Sequence, residues 1–126
     1  MNVVDPVRSV VVRAAREFNA GRYFEAHEVL EDGLVEIPED LWDLFIGLVQ
    51  IAVGYHKTTQ QLWTGAARML EMGLEKAQAF PADAAGVNLE ALRRRVRADI
   101  EALRGRRFDA CAFARRPPRL QPLNAA

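Results

Sequence analysis

The sequence predicts an all-α protein, a compact bundle of about five antiparallel helices with an extended C-terminal tail. Three observations point there. Apolar residues recur every three or four positions in nearly every segment, and no run alternates strictly enough to read as a strand. The connections between these periodic segments are short, which favours antiparallel neighbours. The stretch "LFIGLVQIAVGY", residues 44–55, is apolar on every side except at Gln50, the pattern of a central helix enclosed by others.

Helix one opens at Asp5-Pro6, a capping residue followed by a proline suited to the first turn, and carries the stripe Val7, Val10, Val11, Ala14 and Phe18. Asn19-Ala20-Gly21 ends it. Helix two runs from about Arg22 to Val35. Ile37-Pro38 forces a break, because the residue before a proline is pushed out of helical geometry. Glu39 and Asp40 favour a new start by complementing the positive end of helix three, which spans about Glu39 to Thr58. On it Gly47 and Gly54 lie seven apart, on one face, and mark the close approach of a neighbouring backbone. Helix four covers about Thr64 to Ala79 through Ala66, Met69, Leu70, Gly73 and Ala77, and "FPADAAG" stops it. Asn88 caps helix five, whose stripe is Leu92, Val96, Ile100 and Leu103, with Gly105 just after its end. The sequence thus divides into a bundle over residues 1–105 and a tail over 106–126, laid over the bundle through Phe108 and Phe113.

A chain of 126 residues is one domain's worth, able to hide roughly two thirds of the surface its unfolded form exposes. The single cysteine, Cys111, makes no internal bridge, and the start "MNVVDPVRS" has no export signal, so the expected setting is the cytoplasm. The longest apolar run is twelve residues, short of the roughly 20 that span a bilayer, so no membrane is expected. Net charge is zero, but it is segregated. Residues 1–85 carry seven bases against thirteen acids, whereas residues 86–126 carry ten arginines against four acids. Glu25 to Asp43 alone holds eight acids and no Lys or Arg. Either the two regions face one another or each has its own partner. The arginines could meet phosphates, but aromatic residues for stacking bases are sparse and the acidic stretch repels nucleic acid, so nucleic-acid binding is not expected.

The passage "FNAGRYFEAHEVLED", residues 18–32, carries the most chemistry. His27 and Glu31 are four apart on one helix face and can reach one ion, in a His-Glu-x-x-Glu arrangement. Glu28 points about a quarter turn away. Two donors are too few for a metal, and the hairpin arithmetic puts His56 roughly 10 Å out of level with His27, beside Arg22 and Tyr23 instead. Gln50 falls level with His27. A buried amide left unpaired costs on the order of 1–3 kcal/mol, so Gln50 is expected to join His27 and one or both glutamates, roofed by Tyr23 and His56. Such a cluster can fix helix register, hold a metal ion or small polar ligand, or transfer protons. No phosphate loop, Cys-x-x-Cys pair or nucleophile elbow accompanies it.

The blocks "FNAGRYFEAHEVLE", "GLVQIAVGYHK" and "GAARMLEMGLEKA" resemble the bacterial and archaeal domain-of-unknown-function family 309, over about residues 14–80. Gly21, Tyr23, Glu25, His27, Glu28 and Glu31 match its first block, Gly47 and Gln50 the second, and His56 that block's closing histidine. Leu34 stands where the family commonly has tryptophan and Ile46 where it often has glutamine; "QQLWTGA" replaces the family's glycine-polar turn. The resemblance implies a small all-α intracellular protein and no particular activity.

The expectation is therefore a pocket between helices two and three, lined by His27, Glu28, Glu31 and Gln50 with Tyr23 and His56 at its edge. It would bind a divalent metal, through His27 and Glu31, or a small polar ligand. The competing expectation is a non-catalytic module whose cluster only sets register and whose basic tail engages a partner or a second copy of the chain. Whether the protein is an enzyme stays open at this level.

Overall fold

The computed structural model describes residues 5–123, so the chain's first four residues, part of the start read above for export, and the last three of the tail lie outside it. Helix α1 spans Pro6–Asn19, α2 Tyr23–Asp32, α3 Trp42–Thr59, α4 Trp63–Ala77, α5 Leu89–Gly105, and a single turn, α6, Ala112–Arg115. No β-strand occurs among the described residues; the one β contact is an isolated bridge between Val87 and Pro122.

The local signals work as the residue types require. The Asp5 carboxylate accepts from the Arg8 amide with Pro6 in the first turn, and the Asn88 side chain accepts from the Ala91 amide at the start of α5. Gly21 turns the chain between α1 and α2 at φ +81°, where only glycine is unstrained. Helix two is shorter than the periodicity suggests, because Gly33–Glu36 tightens into a 3-10 turn before Pro38; a second 3-10 turn, Glu39–Leu41, precedes α3. Helix α5 includes Gly105, and the left-handed residue that closes it is Arg106, not glycine.

Helix α3 lies between α2 and α4; α1 packs on α2, and α5 on α4. The seam with α4 is made by missing side chains. A Cβ on Gly73 would stand 2.5 Å from the Gly47 carbonyl oxygen, and one on Gly54 2.7 Å from the Leu70 side chain. Phe45, Ile51, Tyr55, Leu70, Leu92 and Val96 form the centre of the core, with Val10, Val11 and Phe18 closing it from α1.

One expectation needs correction. Helix α3 is not enclosed all round, since Trp42 is 42% exposed and Ile46, Val49 and Val53 are only partly covered. The segment after α5 packs on the bundle. Leu120 and Phe113 are buried, the Asn19 amide exchanges hydrogen bonds with the Leu120 backbone at 2.7 and 2.9 Å, and the Leu123 amide donates to the Gly86 carbonyl at 2.7 Å. The tail crosses back from the end of α5 to α1. Trp63 anchors it, its ring 4.7 Å from that of Phe108 and stacked with Phe113.

Candidate functional site

The face of α2 that adjoins α3 carries Phe24, His27 and Glu31. The His27 ring contacts the Phe24 carbonyl through Nδ1 at 3.1 Å and the Glu31 carboxylate through Nε2 at 2.9 Å. Both partners are acceptors, so both bonds form together only when the ring carries two protons. The pair lies at the surface, with the Glu31 side chain 60% exposed. Phe24 is half-exposed, and its ring lies 5.1 Å from that of His27 and 5.3 Å from that of His56. His56 therefore meets the first turn of α2, one residue past the expected Tyr23.

The remaining members of the expected cluster point elsewhere. Gln50 comes three residues after Gly47 and four before Gly54, and both glycines touch α4, so Gln50 occupies the α4 side of α3 rather than the side of His27. Equal height along two helices does not fix direction around them. The Gln50 Oε1 atom is buried without a hydrogen-bond partner among the described residues. Glu28, a quarter turn from His27, lines a concavity between α1 and α2 with Arg13, Glu17 and Asp32. Tyr23 turns into the core, 5.1 Å from Phe18 and 5.7 Å from Tyr55 between ring centroids. Among the described residues no three His, Cys, Asp or Glu side chains are placed to share an ion, so His27 and Glu31 stand as a two-donor pair.

The buried polar group of this molecule is one that the sequence reading passed over. Tyr55, with no exposed surface, donates its hydroxyl to Asp99 at 2.5 Å, and Arg95 donates from Nε to the same carboxylate oxygen at 2.8 Å. A second guanidinium nitrogen of Arg95 donates to the Arg116 carbonyl in the tail. Burial raises the Asp99 carboxyl above the usual aspartate range, against the opposing pull of the Tyr55 and Arg95 bonds. Burial and the neighbouring Asp99 charge push the Tyr55 hydroxyl well above the ordinary tyrosine value. The signal for this network was present: Asp99 sits between Val96 and Leu103 at the spacing of the buried stripe, where an acid must find partners.

A cavity of about 460 Å³ opens beside the network, where the α1–α2 turn, the α3–α4 turn and the tail converge over Tyr23. The Asp99 carboxylate is closed in by its two donors, and the His27 ring is engaged by the Phe24 carbonyl and the Glu31 carboxylate.

Fold and surface together define a small all-α domain with one internal polar network, a partly bare central helix and no helix, among the described residues, long and apolar enough to cross a membrane. The model of a family described as Domain of unknown function (DUF309) matches residues 11–69, from α1 into the first half of α4, the same family that the motifs of this stretch resemble. No curated protein matches the chain.

Proposed function

We propose that the chain is a non-catalytic interaction module that pairs with a second copy of itself through the outer face of α3. The observation that carries this reading is the stripe Trp42, Ile46, Val49, Val53. These residues follow the i, i+4, i+7, i+11 spacing of a coiled-coil seam, on a helix whose composition demands cover on every side. Half-exposed Met72 on the adjoining α4 widens the apolar face.

The face is self-complementary. Two α3 helices related by a two-fold axis passing level with the Gly47–Leu48 bond run antiparallel. Trp42 then lies level with Val53 of the partner subunit and Ile46 with Val49 of the partner subunit. In this antiparallel register the dipoles of the two helices oppose favourably. His27, Glu31 and His56 then form a polar rim of the contact.

Sedimentation of the wild type and of Val53→Glu tests the reading. Each substitution acts twice in a two-fold contact. At about 2 kcal/mol per buried aliphatic side chain, the variant should dissociate roughly a thousandfold more readily. A monomeric wild type at concentrations near 100 μM, or a dimer that Val53→Glu leaves intact, overturns the proposal. The variant's helical circular dichroism checks that it remains folded.

A further inference from the structure

The cavity beneath the tail has features that a packing defect lacks. Its volume, about 460 Å³, lies in the range of small-molecule sites. Tyr23 lines it while only 6% exposed, yet the Tyr23 hydroxyl makes no hydrogen bond with any described residue. The buried side-chain atom without a partner among the described residues is Gln50 Oε1; the Tyr23 hydroxyl instead stands open to the cavity, where it can bond a molecule from outside the chain.

The other polar walls define that partner. Thr58 is buried and donates its hydroxyl hydrogen to the Tyr55 carbonyl at 2.6 Å; Thr59 does the same to the His56 carbonyl at 2.6 Å. Both threonine oxygens are left with acceptor capacity only. The Asn19 amide gives one N–H and one oxygen lone pair to the Leu120 backbone. Gln61 and Cys111, both exposed, also line the space; no Asp, Glu, Lys, Arg or His does, and the remaining wall is chiefly Phe113 and Pro117 with the alanines of the tail. A charged ligand would lose its hydration there without compensation. Burial also raises the Tyr23 hydroxyl above its ordinary value, so it stays protonated at neutral pH and can accept from an N–H as well as donate.

We propose that this cavity binds a neutral, largely apolar small molecule that carries an N–H or O–H donor, held between Phe113 and Tyr23 with its polar edge on Tyr23, Thr58 and Thr59. The site is separate from the outer face of α3, on which the pairing proposal rests. The tail forms one wall and is itself fastened by Arg95 to the Arg116 carbonyl and by Asn19 to Leu120, so the pocket exists only because the tail folds back.

N-phenyl-1-naphthylamine is a suitable probe: it is neutral, aromatic, carries one N–H, and brightens when removed from water. The expected result is saturable binding of one probe per chain. Tyr23→Phe should weaken it about fivefold, the worth of one hydrogen bond, without lowering the melting temperature, because the hydroxyl has no partner within the protein. Ala114→Trp, at an exposed tail position that lines the cavity, should fill the space and abolish saturable binding in a folded protein. Val53→Glu should bind the probe as the wild type does, which separates this site from the α3 face. The proposal is overturned by a wild type that shows no saturable binding, by an Ala114→Trp variant that binds normally, or by loss of binding in Val53→Glu alone.

Discussion

Tyr55→Phe is the most informative single substitution in this protein, because it removes one atom and nothing else. The ring is fully buried, so phenylalanine keeps the packing against Phe18 and Tyr23, whose ring centroids lie at 5.8 and 5.7 Å. What disappears is the donor to Asp99, whose side chain is 12% exposed and keeps only Arg95. A hydrogen bond to a charged acceptor is worth about 1.5–3 kcal/mol, and the remaining partner lies partly in water, so a loss near 2 kcal/mol is expected. With a urea slope of about 1–3 kcal/mol per molar, the unfolding midpoint should fall by roughly 1 M at pH 7. Asp99→Asn should also destabilise. The double variant should cost less than the sum of the two by about 1–2 kcal/mol, since each single change already breaks the same bond. A Tyr55→Phe midpoint within roughly 0.2 M of wild type, or strict additivity in the double variant, would refute the assignment of this network as a structural anchor.

The pH dependence follows from the same residue. Protonated Asp99 is favoured by folding, so its stabilising contribution is complete below the ordinary aspartate pKa and is lost as pH rises through the raised native value; urea midpoints of wild type should decline across that window, and those of Asp99→Asn should not. His27→Ala should cost under about 1 kcal/mol in denaturant titration, since the Glu31 partner is mostly solvated, whereas a buried cluster would have cost more. Gly73→Ala should lose about 2–3 kcal/mol by thermal melting, because the new Cβ meets the Gly47 carbonyl and Ile51. Gly65→Ala meets only the flexible Lys57 stem at 3.3 Å and should be neutral or stabilising by up to about 1 kcal/mol.

Much of the fold was legible because its signals are local. Asp5-Pro6, Gly21, Pro38 and Asn88 act within a turn of where they stand, and the spacing of Gly47 and Gly54 announced the α4 seam. The expected His27–Gln50 contact failed for a physical reason that the glycines already contained: the face they reserve for α4 is the face Gln50 shares. Rise per residue gives the level of a side chain, but only the azimuth says which neighbour it meets. Asp99 was obscured because it lies amid five arginines of α5, where a carboxylate reads as surface charge. The tail was legible only in part: Phe108 and Phe113 stood out as anchors, but a segment without periodicity offers no pattern from which to infer that Leu120 is covered. The bare stripe on α3 was invisible for the opposite reason: composition reports that a helix wants cover, not which element supplies it.

The polar network and the pocket are physically joined. Asp99 and Thr58 are the buried polar or charged residues among those described, and both are engaged, Asp99 by Tyr55 and Arg95 and Thr58 by the Tyr55 carbonyl. Tyr23 keeps an unbonded hydroxyl and touches Tyr55, so the open group and the closed network share one aromatic cluster. Arg95 joins that network to the pocket wall through Arg116. Arg95→Met should therefore act at two places. It leaves Asp99 with Tyr55 alone and lowers stability by about 1–2 kcal/mol in urea, and it frees the tail at Arg116, weakening N-phenyl-1-naphthylamine binding several-fold under native conditions. Asp99→Asn disturbs the network but spares the bond to the tail, so its probe affinity should stay near that of wild type. Equal losses of affinity in the two variants would show that the pocket responds to general loosening of the core and not to the Arg95–Arg116 tether.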